Sequence, residues 1–344
     1  MKRFQSSLAI VSILCAVCVF VGCGNDDDND SNDGDNNDSD VLIEDLPPPP
    51  PTKIVFSSSR EASEEVPVTN DLYLPRDIFV MDPDGANVIN LTKTPDVNDI
   101  QPDWSPDGNR IAFLSDPEKV TDIFVMDADG TNVIQLTEQS DFNWSPSWSP
   151  DGNRIVFMSV RLVDNRGFNE KIFVMDADGA NLVRLTKDGF NNNSPDWSPD
   201  GNRIVFVSDR AIVDRANLNW DRNWDIFVMN VDGTNVIQLT KHPTANQNPD
   251  WSPDGEQIVF EAHREPESEV YVMNADGTSQ TNITNHPAAD GNPVWSPDGT
   301  QIAFHSMRDG NWEIYVMNTD GTNQVKITNN PAIDLSPAWS VDKR

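Results

Sequence analysis

Hydrophobic and polar positions along this chain alternate in short runs, and no run carries the period of an amphipathic helix. The stretch 148-WSPDGNRIVF-157 sets the pattern. It returns as 104-WSPDGNRIAF-113, 197-WSPDGNRIVF-206, 251-WSPDGEQIVF-260 and 295-WSPDGTQIAF-304, and begins once more at 339-WSVDKR-344. Between these segments lies a second motif, Ile-Phe/Tyr-Val-Met-Asp/Asn-x-Asp-Gly, then Val-Ile-x-Leu-Thr, a polar loop and Pro-x-Trp. Each unit predicts four short strands rich in β-branched and aromatic residues and bounded by turn formers. Strand A is Pro-x-Trp-Ser. Strand B is Ile-x-Phe, strand C is Ile-Phe-Val-Met, and strand D is Val-Ile-x-Leu-Thr. Pro-Asp-Gly supplies the A–B turn and Asp-Gly the C–D hairpin.

The anchor tryptophans 104, 148, 197, 251, 295 and 339 are spaced by 44, 49, 54, 44 and 44 residues. Four-stranded units at this period predict an all-β fold, a six-bladed β-propeller of antiparallel blades. The repeat also predicts how the ring closes. The body opens with 53-KIVFSSSR-60, a strand B without its strand A, and ends with 336-SPAWS-340, a strand A without its strand B. The two halves make one blade, with the C-terminal strand pairing with the N-terminal strands as a clasp. An open solenoid would need capping repeats instead.

These residues carry a resemblance. The string P-x-W-S-P-D-G-x-x-I-x-F…I-F/Y-V-M-D-x-D-G…L-T is similar to the WD-repeat-like blades of the TolB propeller family, and the likeness covers 52–344. It implies a propeller with an envelope role. The α/β domain that precedes the TolB propeller has no counterpart in 23–51, and neither has the hydrolase domain carried by prolyl-oligopeptidase-type propellers.

Composition adds the region before the blades. Lys2 and Arg3 precede an apolar run from Leu8 to Gly22, which fits a secretory signal over 1–22. Phe20-Val21-Gly22-Cys23 resembles a lipobox, making Cys23 the expected lipidation site and new N-terminus; an ordinary signal peptide is the alternative. All three cysteines lie at or before 23, so no disulfide is expected in the body. Residues 23–51 read as a tether: nearly pure Asp, Asn and Ser over 25–40, then five prolines forming a stiff spacer. Gly24 after the cysteine suggests outer-membrane sorting, so the expected location is the cell envelope, held to the membrane by a lipid anchor.

The net charge of −32 is not all tail. Residues 52–344 hold 46 acids against 22 bases, a net −24. Such a body repels nucleic acid and anionic headgroups and favours cations or basic partners. A monomer is expected.

Topology puts the A–B and C–D turns on one face and the variable B–C and D–A loops on the other, where binding is expected. The B–C loops 57–77, 159–171 and 208–225 are long. The last two belong to neighbouring blades and gather Arg161, Arg166, Phe168, Arg210, Arg215, Trp220, Arg222 and Trp224. Arg and Trp are enriched at binding hot spots, so these residues form a candidate ridge for an envelope protein or cell-wall-associated partner. The alternative is that Trp220 and Trp224 pack the loop onto its own blade. A second candidate is the channel mouth. Five positions before each anchor tryptophan stand Asp99, Asn143, Asn192, Asn246, Asp290 and Asp334, a ring of oxygens suited to Ca²⁺ or a basic peptide; the alternative is that they start Asx-turns.

No organic cofactor is expected, and Ca²⁺ is the one ion considered. The Asp-x-Asp-Gly turns do not match an EF-hand, which needs Gly at its sixth position and Glu at its twelfth. No G-x-S-x-G or H-E-x-x-H is present. His242 and His286 precede Pro at matching loop sites, and His263 and His305 follow strand B. The expected function is a non-catalytic docking scaffold; the alternatives are a carbohydrate- or Ca²⁺-binding propeller and a propeller hydrolase or lyase.

Overall fold

The computed structural model describes residues 52–60, 74–137, 142–162, 168–211, 224–264 and 266–341. Its strands form six separate four-stranded sheets within the compact unit Pro48–Arg344. Blade 2 is typical: strand A at Ile100–Trp104, B at Arg110–Ser115, C at Asp122–Asp127 and D at Ile134–Gln135. Blade 1 joins the two ends of the body, with strand order Asp334–Trp339, Ile54–Ser58, Asp77–Met81, Ile89–Asn90. Trp339 pairs with Ile54, Ala338 with Val55 and Asp334 with Ser58. The clasp read from the sequence is therefore the observed closure. The A strands of neighbouring blades touch all the way round, the sixth against the first.

The core is six seams, each shared by two blades. Between blades 2 and 3, Ile100, Ala112, Leu114, Ile123 and Val125 meet Trp148, Ile155, Phe157, Phe173 and Met175. The other five seams repeat this scheme. Alternation along strands B and C sends successive side chains to opposite faces of a blade, and both faces meet a neighbour. That is why Ile-Val-Phe is apolar without interruption.

Strand D differs from expectation. Only two residues of each Val-Ile-x-Leu-Thr segment pair with strand C. In blade 2 Val133 and Ile134 are exposed, while Leu136 packs partly against the seam. The threonine that follows replaces the ladder with side-chain bonds. Ile123 N donates to Thr137 Oγ1 at 2.9 Å, and Thr137 Oγ1 donates to Asp122 at 2.7 Å. The same threonine accepts from the strand-C amide in every blade.

The glycine of each C–D turn serves two purposes. Gly130 has φ +84°, and a Cβ there would lie 2.6 Å from the carbonyl oxygen of Leu91 in the preceding blade. Gly310 also has positive φ, +97°, but faces open space. Gly130→Ala is expected to cost about 2–4 kcal/mol, combining strain with a seam clash, and Gly310→Ala only about 1 kcal/mol. Urea denaturation of the two variants checks this; equal losses would show that strain alone matters.

Candidate functional site

The loop face departs from ring symmetry at blade 3. In blade 4 the B–C ladder ends at Ser208 opposite Asp225. In blade 3 it continues past the matching pair, Ser159 opposite Lys171, through Val160–Glu170 and Arg161–Asn169 to Leu162–Phe168. Three further residue pairs correspond to an arm of about 10 Å at the usual rise per residue. Strand A is extended beside it, with Phe142 paired to Val160 and 44 % exposed. Phe142 was not among the residues singled out in the sequence, because it lies in a D–A loop with no repeat signature.

The expected ridge is placed only in part. Arg161 and Phe168 lie on the backbone of this arm, and their side chains are outside the described residues, as are Arg166, Arg215, Trp220, Arg222 and Cys23. Trp224 is half-buried at the start of strand C in blade 4, and its carbonyl accepts from Asn246 N at 2.8 Å. Arg210 is not a free docking group. Its Nε donates to Ser208 Oγ at 3.0 Å and its Nη2 to Asn192 Oδ1 at 2.7 Å and Asp188 at 3.0 Å. Its guanidinium lies 4.9 Å from the ring centre of Phe227. Arg60 and Arg308 repeat this arrangement with Asp334 and Asp290, and Arg264 holds Asn246. The arginine six residues after the first isoleucine of strand B is thus a pin joining strand B to strand A.

Those pins account for most of the expected mouth ring. Asn192, Asn246, Asp290 and Asp334 each accept from an arginine. Asn143 donates to Asp122 Oδ1 at 3.1 Å, and Asp99 accepts from Thr94 Oγ1. All six are 0–1 % exposed, and none lies on the channel wall. The reason is a bulge in every strand A. The residue before proline sits at positive φ, for instance Gln101 (+50°), Ser194 (+43°) and Asn292 (+49°), and the register shifts around it. The bulge turns the next residues, not the first, toward the axis. Among the described residues, no group of three or more His, Cys, Asp or Glu is placed to hold a metal ion.

The axis is lined by the three residues preceding each anchor tryptophan. The last of these is Asp103, Ser147, Asp196, Asp250, Val294 or Ala338, according to the blade. The three aspartates latch neighbouring blades: Trp148 N donates to Asp103 Oδ2 at 2.8 Å, Trp251 N to Asp196 Oδ2 at 3.2 Å, and Trp295 N to Asp250 Oδ2 at 2.7 Å. Ser147 Oγ reaches across to Asp196 Oδ1 at 2.8 Å. Burial pushes the Asp103 carboxyl up to about 7, with repulsion from Asp196 adding to it. Burial also raises Asp196 to about 6. Asp250 is raised by burial and then by Asp196. The cavity on the loop side of this waist measures about 120 Å³. Ligand sites for drug-sized molecules run to about 300–1,000 Å³, so the axis is narrow beside them.

The model of the TolB beta propeller domain matches residues 52–213, 215–289 and 278–344. The chain belongs to the TolB beta-propeller family. No curated protein sequence matches it. Among solved structures, TolB from Acinetobacter baumannii is similar, with a TM-score of 0.67 at 21 % identity over 84 % of this chain and 67 % of that one. Hydrazine synthase of Kuenenia stuttgartiensis gives a TM-score of 0.68 at 18 % identity, covering 86 % of this chain and 47 % of that one. An oligogalacturonate lyase in complex with manganese gives 0.52 at 15 % identity, covering 75 % and 72 %. At these identities the likeness is to the fold.

Within this TolB-type propeller, blades 5 and 6 hold a buried acid–base contact that the repeat does not explain. The position after the strand-B phenylalanine is Leu114, Met158 or Val207 in blades 2, 3 and 4, but Glu261 and His305 in blades 5 and 6. Glu261 Oε1 lies 2.9 Å from His263 Nε2, and Oε2 accepts from Asn248 Nδ2 at 3.0 Å and Asn292 N at 3.2 Å. Burial opposes the Glu261 charge, but the bond from His263 and the two imidazoles hold its carboxyl below the usual range. Burial pulls His305 down to about 4, against the pull of Glu261. Gly291 makes room: a Cβ there would fall 2.5 Å from Glu261 Oε2 and 3.1 Å from His305 Nε2. With His305 held neutral and edge-on to Trp312 at 4.7 Å, the cluster acts as a seam between blades.

Proposed function

We infer that this chain is an envelope lipoprotein whose propeller serves as a non-catalytic docking scaffold, engaging a protein or cell-wall-associated partner through its loop face near blades 3 and 4. The carrying observation is the arm of blade 3, which carries the B–C ladder three residue pairs past the pair matching the last one described in blade 4 and sets the exposed Phe142 at its base. A rigid ladder presenting an aromatic residue is preorganised for binding, which lowers the entropic cost of association. The expected ridge residues Arg161, Arg166, Phe168, Arg215, Trp220, Arg222 and Trp224 belong to the B–C segments 159–171 and 208–225 of blades 3 and 4. Membership of the TolB family supports an interaction role at this coarse level, and the signal, Cys23 and tether support the envelope.

Site-specific photo-crosslinking in cells tests the reading. A crosslinker at Phe142 is expected to capture a defined partner, lost on Trp220→Ala/Trp224→Ala, while one at Asp129 on the turn face captures none. Capture from Asp129 alone, or capture from Phe142 that ignores the loop variant, would overturn the assignment of the face. Mass spectrometry of the mature N-terminus checks Cys23; an unmodified terminus elsewhere would remove the anchor.

A further inference from the structure

The opposite mouth of the channel, on the turn face, is asymmetric in a way that points to a ligand. It opens into a cavity of about 200 Å³ with Asp103 and Asp196 in its lining and Trp104, Trp148, Trp295 and Trp339 around it. In three seams of the ring the anchor indole is already covered by a cation from the preceding blade. Arg110 lies over Trp148 at 4.5 Å, Arg154 over Trp197 at 4.7 Å and Arg203 over Trp251 at 4.7 Å. In the other three seams the covering position is Lys53, Gln257 or Gln301. Lys53 turns away to pair with Asp82, and the glutamines carry no charge. Among the described residues no cation lies over Trp104, Trp295 or Trp339, and all three line the cavity. Each is no more than 8 % exposed, and its buried Nε1, like that of the three covered tryptophans, meets no acceptor among the described residues.

The surrounding charge is negative and fixed. Side-chain hydrogen bonds from Thr131, Thr234 and Thr278 hold Asp129, Asp232 and Asp276 in the C–D turns below the usual carboxylate range. Cations are therefore concentrated at this face.

We propose that this turn-face mouth binds a primary ammonium carried on a narrow alkyl chain, the terminal group shared by free polyamines and lysine side chains. Indole faces attract organic cations, and the methylenes suit the walls of tryptophan and proline. The carboxylates at the waist neutralise the charge. The volume excludes a folded segment. A bare divalent metal would need six or more oxygen ligands, and no metal-holding group exists among the described residues.

Isothermal titration of the full-length protein with spermidine, and separately with a short blocked lysine peptide, tests this at physiological salt. The decisive variant is Gln257→Arg/Gln301→Arg. It restores the arginine found in the other seams, so it is expected to fold at least as stably as the parent while filling the indole faces. The expected results are one site, binding about tenfold weaker near pH 6 than near pH 8 as the waist protonates, and a loss of tenfold or more in the double variant. Asp196→Asn, which keeps the acceptor but not the charge, is expected to weaken binding similarly. Binding of spermidine alone identifies a free polyamine; comparable binding of the peptide identifies a lysine side chain. No heat with either probe, unchanged affinity in the double variant, or equal displacement by magnesium at matched ionic strength would overturn the proposal.

Discussion

A chain ending at Ile333 is expected to lose its cooperative fold altogether. The segment Asp334–Trp339 is strand A of blade 1, and it is the only part of the C-terminal region that pairs with Ile54–Ser58 among the described residues. Its removal strips both flanking seams at once. Trp339 belongs to the cluster shared with blade 6, and Ala338 to the one shared with blade 2. The closure is also wired by polar contacts. Ser340 N donates to Lys53 O at 2.8 Å, Ser59 N to Ile333 O at 3.1 Å, and Arg60 Nη2 to Asp334 at 2.8 Å. Deletion would expose the edge of Ile54–Ser58, a template for aggregation. A ring is not a solenoid: its seams all depend on closure, so the loss is not confined to one blade. Near-UV circular dichroism and urea unfolding of the truncated chain are expected to show no sharp transition. A synthetic 334–344 peptide added in trans is expected to restore part of it. Trp339→Ala, which keeps the ladder, is expected to cost about 3–5 kcal/mol. A truncated chain that still unfolds cooperatively would show that five blades close without the clasp.

That closure was legible because it rests on copy number and phase, which a repeat displays directly. Strands A, B and C were legible too, since turns and apolar residues recur at fixed offsets. What the sequence obscured was the direction of side chains along strand A. Recurrence five positions before each anchor tryptophan suggested a ring of Asp99, Asn143 and their equivalents at the mouth, but a left-handed residue before each proline, such as Gln101 or Ser194, turns the residues after it toward the axis instead. Residues preceding proline are ordinarily extended, so nothing local announced the bulge. The signal available was variation: the residue before each anchor tryptophan is Asp, Ser, Asp, Asp, Val or Ala, while its neighbours hardly change. Arg210 illustrates the opposite error. It recurs in phase as Arg60, Arg264 and Arg308, which hold strand A in the same way, and such recurrence marks a part of the scaffold more readily than a docking group. Glu261 and His305 broke an apolar position and could have been found by aligning the copies.

The waist carboxylates predict that this acidic protein gains stability as the solution is made mildly acidic. Asp103 is raised to about 7 and Asp196 to about 6, and Asp250 is raised as well, while an unfolded aspartate titrates near ~3.9. Between those values the folded ring holds protons that the unfolded chain does not. Stability therefore rises as pH falls and is lost as pH climbs through the folded values. His305 works the other way: its value of about 4 lies below that of an unfolded histidine, so its contribution is present above ~6.5 and fades toward the folded value. The cleanest window thus runs from about pH 8.5 to about pH 7, above the ~6.5 at which an unfolded histidine titrates. There the gain is expected to be on the order of 0.5 kcal/mol from Asp103, with Asp250 acting in the same direction. Urea midpoints across this window measure it. Asp103→Asn retains an oxygen to accept from Trp148 N and carries no charge to desolvate. It is expected to stabilise the ring above pH 7 and to flatten the slope. A variant less stable than the parent at about pH 8.5, with an unchanged slope, would mean that the carboxylates are fully solvated along the channel and that the latch alone explains their presence.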